Sequence, residues 1–162
     1  MNAMGKSMIE IATAADLARI VEMKLAMFQE GGHADLLASD AREVIQRDYR
    51  SLYRRGLARH FVMREGGRIV ASAGAFLKSD LPYRYFATPF YGFIGDVYTE
   101  PAYRGRGMAT QLTREAIAWL AGHGVMEVRL LAFDAARQIY IRMGFRPTDE
   151  MVLELRHSPA KE

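Results

Sequence analysis

The chain has 162 residues, half of them hydrophobic, a tenth aromatic and a quarter charged, proportions of one soluble globular domain able to bury a core without staples. It contains no cysteine, which excludes disulfides, thiolate metal sites, CxxC redox chemistry and any mechanism that parks a substrate on a cysteine of the protein. The net charge is only +3 at a pI of 9.3, and no run approaches the roughly 20 apolar residues that span a bilayer, so a cytoplasmic protein without a membrane partner is expected.

Strand and helix signals alternate along the chain with no linker, repeat or low-complexity tract, which predicts a single domain over residues 1–162. Residues 1–7 are polar and read as a flexible leader; no signal peptide is apparent. Met8 to Ala12 is strand-like. Thr13 with Asp16 three residues on forms a capping-box start for a helix that presents Leu17, Ile20, Val21, Leu25 and Phe28 before Gly31-Gly32 stops it. A second helix runs from near Asp40 to about Gly56, with Val44, Ile45, Tyr49, Leu52 and Tyr53 as its apolar stripe. His60 to Glu65 and Arg68 to Leu77 are strands joined by Gly66-Gly67, a strong hairpin signal.

After a polar and aromatic loop, residues 78–89, a strand runs from Phe90 to Tyr98. A helix over about Gly107 to Ala121 buries Met108, Leu112, Ala116, Trp119 and Leu120. Glu127 to Ala132 is a strand, Ala135 to Met143 a helix closed by Gly144, and Met151 to Leu155 a final strand. The order predicts an α/β chain with a mixed sheet and helices on its faces.

Residues 42–68 hold eight arginines (42, 47, 50, 54, 55, 59, 64 and 68) against Glu43, Asp48 and Glu65. Because the aromatic residues among them follow the apolar stripe, the arginines read as the solvated face of an amphipathic helix, and no nucleic-acid partner is expected.

The chemistry concentrates where the Phe90 strand ends: Asp96-Val97-Tyr98-Thr99-Glu100-Pro101, then Ala102-Tyr103-Arg104-Gly105-Arg106-Gly107-Met108-Ala109. An Arg-Gly-x-Gly-x-Ala turn leads into a helix, so turn N–H groups and the helix's first orphan donors converge where aligned peptide dipoles favour an anion. Glycines at 105 and 107 remove the side chains that would keep a diphosphate off that backbone. No Walker Gly-Lys-Ser/Thr and no Gly-x-Gly-x-x-Gly fingerprint is present.

About thirty residues downstream comes Asp134-Ala135-Ala136-Arg137-Gln138-Ile139-Tyr140-Ile141-Arg142-Met143-Gly144-Phe145. Together the two segments resemble the GNAT superfamily, the GCN5-related N-acetyltransferases. The family pattern Gln/Arg-x-x-Gly-x-Gly/Ala is met by Arg104, Gly107 and Ala109, and its Tyr-x-x-x-Gly-Phe ending by Tyr140, Gly144 and Phe145; the likeness covers residues 8–155. It implies a mostly antiparallel sheet of about six to seven strands with splayed central strands. Where many members carry an asparagine that touches the pantetheine arm, this chain has Phe133.

The resemblance implies acetyl-coenzyme A as co-substrate, its pyrophosphate on the backbone of Arg106, Gly107, Met108 and Ala109, with Arg104, Gly105 and Tyr140 also counted among the residues that bind it. The pantetheine arm would lie between the Phe90 and Glu127 strands, pairing with main-chain groups of Val97, Tyr98 and Thr99, with Phe133 and Arg137 toward the cofactor. Attack by a primary amine on the thioester needs a fixed donor for the oxyanion, and a backbone N–H near Tyr98 fits. Tyr140 resembles the family's general acid: a phenol of pKa about 10 can protonate a thiolate whose conjugate acid lies near 8.5. Asp96 and Glu100 are both candidates for the base, directly or through water. Strand alternation puts Asp96, Tyr98 and Glu100 on one face and Val97 and Thr99 on the other, leaving open which meets the substrate.

The four histidines, 33, 60, 123 and 157, show no ligand spacing, and no metal is expected. His33 lies in a loop, residues 31–39, suited to line an acceptor pocket, and Tyr83, Tyr85 and Phe86 suit either a lid over the acceptor or a homodimer contact. The reading is transfer of an acetyl group to a small-molecule or peptide amine. Two other classes fit parts of the chain: an acetyl-coenzyme A-binding regulatory module without catalysis, and an arginine-driven phosphate or nucleic-acid binder.

Overall fold

The computed structural model describes residues 8–80, 90–153 and 155. The chain packs as two compact units that meet in sequence between Leu131 and Ala132. The leader and the aromatic loop residues Tyr83, Tyr85 and Phe86, like His157, lie outside the described residues.

The first unit opens with β1 (Glu10–Ile11), two residues long where five were expected. The backbone N–H of Thr13 donates to Asp16 Oδ2 at 2.9 Å, and this capping box starts a 3-10 turn that leads into α1 (Leu17–Glu30). Helix α2 (Ala41–Arg54) follows. Then come β2 (Ala58–Glu65), β3 (Arg68–Ser79), β4 (Phe90–Thr99), α3 (Met108–Gly122) and β5 (Val128–Leu130). The β2–β3 hairpin closes on Gly66 and Gly67, both at positive φ, the geometry that a two-residue turn between right-twisted strands demands.

The sheet order is β1-β2-β3-β4-β5. Strands β1 to β4 pair antiparallel and β5 pairs parallel to β4. Five strands are present among the described residues, fewer than the six to seven expected. Met151, Val152, Leu153 and Leu155 form no strand; all are more than four-fifths exposed, so their side chains lack the covered face that stabilises an alternating segment.

Two apolar layers sandwich the sheet. On one face Leu17, Ile20, Val21 and Met23 of α1 and Tyr49 of α2 pack on Val62, Ile69, Phe76 and Tyr98. On the other, Met108, Leu112, Ala116 and Leu120 of α3 pack on Phe61, Met63, Val70, Ala73 and Ile94. Each fully buried aliphatic side chain contributes about 1.5–3 kcal/mol, and this double layer covers β3 and β4 on both faces.

Two irregularities in β4 position the site. Its pairing with β5 covers only Gly92↔Val128, Phe93↔Arg129 and Ile94↔Leu130. From Gly95 to Thr99 that edge has no strand partner among the described residues, because β5 ends at Leu130. Against β3, Gly74 faces Gly95 and Ser72 faces Tyr98, so Asp96 and Val97 together oppose Ala73: a bulge.

The second unit carries α4 (Asp134–Arg142). The carbonyl of Phe133 accepts from the N–H groups of Ala136 and Arg137 at 2.9 and 3.1 Å. Gly144, at positive φ, ends the helix.

Candidate functional site

The turn after β4 is built from backbone. Pro101–Tyr103 make one 3-10 turn, Gly105 takes φ 76°, and Gly107 caps α3 at φ 74°. Both values lie in the left-handed region, where a Cβ costs roughly 1–2 kcal/mol. A Cβ on Gly105 would meet no atom within 4 Å, and one on Gly107 only Gln111 Nε2 at 3.7 Å, so open space lies over the turn. Beneath it the first N–H groups of α3 have no intrahelical acceptor. Free N–H groups beneath open space give this surface the chemistry to accept an anion.

Arg104 does not project into this space. Its Nε donates to the carbonyl of Thr99 at 2.8 Å and its Nη2 to Glu30 Oε2 at 2.6 Å, while Tyr98 Oη donates to the other Glu30 oxygen at 2.6 Å. Partial burial and this bond to Glu30 push the Tyr98 phenol up to about 12. Arg104 thus ties the turn to the end of α1, while Arg106 Nη2 donates to the carbonyl of Ala102 at 3.3 Å and its guanidinium lies 5.2 Å from the centre of the Tyr103 ring. The one buried side-chain oxygen without a partner among the described residues is Thr99 Oγ1, on the strand segment that feeds the turn.

The bulge holds a different assembly, built from side chains. Asp96 is the only non-glycine among the described residues at positive φ, 54°. The alternation expected from Asp96 through Tyr98 holds, and the bulge offsets it from the strand before it: Gly95 backs onto Phe76 and Phe93, and the next residue, Asp96, also turns to the α1 and α2 face. Lys24 Nζ donates to Asp96 Oδ1 at 2.6 Å. Tyr49 Oη donates to Oδ2 at 2.7 Å, and His60 Nε2 lies 2.8 Å from the same oxygen. The carbonyl of Asp96 accepts from Ser72 Oγ at 2.9 Å.

Burial alone would raise the Asp96 carboxyl, but the bond from His60 and the charge of Lys24 outweigh it and hold the group well below the usual carboxylate range. An ionised carboxylate only accepts, so His60 Nε2 carries the proton of that bond. His60 Nδ1 lies 2.7 Å from Tyr53 Oη. Burial first, and the Asp96 charge next, push the Tyr49 phenol far above its ordinary value. Room for the imidazole comes from Gly74, where a Cβ would stand 2.8 Å from His60 Nε2.

Tyr98 shares the Asp96 face, while Val97 packs with the α3 layer. Glu100 is apart from this cluster: it is ion-paired with Arg19 and, at 3.0 Å, with Arg68. Neither carboxylate is unengaged. In the second unit, Tyr140 is buried, its ring meets Phe145 edge-on at 5.8 Å, and burial raises its phenol. Arg137 Nη2 lies 3.8 Å from Asp134, and Phe133 is about two-fifths exposed. Among the described residues no cluster of His, Asp and Glu is arranged to hold a metal ion, and no helix is long and apolar enough to cross a membrane.

Residues 21–145 match the Acetyltransferase (GNAT) family. The chain belongs to this family. Among solved structures, this GNAT chain is similar to a GCN5-related N-acetyltransferase from Ralstonia eutropha JMP134, with 27% identity and a TM-score of 0.83 over 91% of this chain and 97% of the other. A protein from Clostridium acetobutylicum, described as a predicted acetyltransferase and solved with acetyl-CoA, has the same fold at 24% identity and a TM-score of 0.83, covering 92% and 95%. So does the aminoglycoside antibiotic 6'-N-acetyltransferase AAC(6')-IG from Acinetobacter haemolyticus, at 21% identity and a TM-score of 0.68, covering 94% and 99%. Among curated protein sequences, none matches.

Four residues that complete these two assemblies escape a reading of the sequence. Lys24 and Glu30 sit in a helix where charges are ordinary, and Tyr49 counts as part of an apolar stripe. His60 left the clearest trace, an imidazole directly before the apolar run Phe61-Val62-Met63.

Proposed function

We propose that this GNAT chain moves an acetyl group from acetyl-coenzyme A to a primary amine by direct attack in a ternary complex. The observation that carries the reading is the continuity of two backbone features. The β4 edge from Gly95 to Thr99, without a strand partner among the described residues, runs within a few residues into the left-handed glycines that open the 15-residue helix α3. An extended pantetheine arm suits the first and a diphosphate the second.

Acetyl-coenzyme A supplies the activated acyl group and the only thiol of the reaction. Within the chain, N–H groups of residues 106–109 hold the diphosphate, and a backbone donor near Tyr98 holds the carbonyl oxygen. Asp96 is fully engaged and Glu100 answers two arginines, so the amine's proton passes to solvent water rather than to either carboxylate. Tyr140 is the acid: burial keeps its phenol protonated through neutral pH, and it gives that proton to the leaving thiolate. Holding both reactants side by side supplies much of the acceleration.

Replacing Tyr140 by Phe tests the assignment. General-acid loss lowers kcat by roughly 10²–10⁴-fold with acetyl-coenzyme A affinity unchanged; unaltered kcat would remove Tyr140 from the chemistry.

A further inference from the structure

We infer that Asp96 is a positioning residue: its carboxylate, anchored at once to α1, α2 and β2, locks the β4 bulge and thereby fixes the backbone of residues 97–99 on which the acyl group is oriented. The inference rests on the proposed acetyl transfer and deepens it.

Three separate observations meet at this residue. The register steps from Gly74↔Gly95 to Ser72↔Tyr98, so the bulge is centred on Asp96 and Val97. Asp96 adopts φ 54°, where residues other than glycine are strained and are held only when their surroundings over-determine them. Its surroundings do so: Lys24 from α1, Tyr49 from α2 and His60 from β2 bond the carboxylate, and Ser72 from β3 bonds the carbonyl. Asp96 is only 4% exposed, and a buried ion pair is a poor source of net stability. A set of neighbours from four elements, converging on one strained residue in the middle of an otherwise apolar layer, instead specifies a conformation.

The same contacts argue against proton abstraction by Asp96. Oδ2 already accepts from Tyr49 and His60, Oδ1 accepts from an ammonium, and the group faces the layer under α1 and α2. What the side chain controls is its own backbone. That backbone continues directly into Val97 and Tyr98, beside the edge that β5 leaves open.

The test compares Asp96→Asn, Asp96→Gly and Asp96→Ala in the full chain, because Asn and Gly tolerate the left-handed region and Ala does not. A lock predicts a graded series in kcat, Asp above Asn above Gly above Ala, with Ala down by roughly a hundredfold, the scale of a small misplacement, while KM for acetyl-coenzyme A moves far less. A proton-abstracting Asp96 predicts that all three variants fall together to background. That outcome overturns the inference, as does wild-type turnover in all three.

Two further measurements keep the inference decidable. Should the Ala variant fail to fold, Tyr49→Phe removes one anchor from the carboxylate and leaves the rest; a severalfold fall in kcat at constant KM supports the lock, and no fall overturns it. Amide hydrogen exchange separates the lock from the activity: residues 96–99 exchange faster in the Gly variant than in the wild type while residues 61–63 of β2 keep their rate. Equal rates at 96–99 overturn the lock even if the enzyme is active. Conversely, if the wild type acetylates no amine, the acetyl-transfer reading falls while the exchange result still stands.

Discussion

The turn at residues 104–107 and the bulge at Asp96 lie within a dozen residues of each other and are built by opposite means. In the turn, two glycines at φ 76° and 74° leave open space over bare N–H groups, and side chains act only from outside, as when Arg104 and Glu30 brace it from α1. In the bulge, a left-handed aspartate is filled in from four elements, and the side chains are the structure. The turn leaves its backbone open because, among the described residues, almost nothing stands over its glycines. The bulge can hold a strained strand still because nothing there is free. A site for a long co-substrate needs both properties along one strand.

The sharpest way to break the contrast is to remove a bulge anchor. Lys24→Met leaves the buried carboxylate without its cation and is expected to cost about 3 kcal/mol of stability, read as a lower urea midpoint at constant slope, with acetyl-coenzyme A affinity retained. A loss under about 1 kcal/mol would mean that the pair behaves as an exposed one.

The converse variant is Gly107→Val. A β-branched residue at φ 74° costs roughly 1–2 kcal/mol and puts methyl groups over the helix N-terminus. Acetyl-coenzyme A affinity, measured by calorimetry, is expected to fall at least about tenfold, a difference of ~1.4 kcal/mol. Wild-type affinity would show that the diphosphate rests elsewhere.

The smallest expected effect is on acid stability. The Asp96 carboxyl is held below its unfolded value, near 3.9, so its contribution is present above that pH and is lost as pH falls through the folded value. Between pH 5 and pH 3 the Tm of the wild type should therefore drop more steeply than that of Asp96→Asn. Asp16 and Glu30, whose carboxyls are also lowered, are common to both proteins and cancel in the difference. Parallel curves would contradict an ionised, anchored Asp96.

The contrast also explains what could be read from the sequence. The turn is local: its glycines, the following helix and the preceding strand are contiguous, and each announces itself through spacing. The same holds for the Gly66-Gly67 hairpin and the apolar stripe of α2, which run as expected. The bulge depends on register. Asp96 was identifiable as a carboxylate near the chemistry, but no local pattern shows that β4 gains a residue between Gly95 and Tyr98, or that β2 brings His60 under it. Pairing 36 residues apart made that contact. Strict alternation likewise failed to show that Gly95 and Asp96 share a face. The strand expected over Met151 to Leu155 had the apolar composition but lacks a covered face among the described residues, and composition cannot supply one.

In the proposed reaction the turn and the open edge of β4 serve acetyl transfer to an amine. Free-thiol release from acetyl-coenzyme A, followed across a panel of small amines, aminoglycosides and peptides, tests it most directly. The expected result is release that depends on one class of amine and needs at least about tenfold more acetyl-coenzyme A in Gly107→Val. Measurable acetyl-coenzyme A binding with no release for any amine would contradict it and leave a binding module.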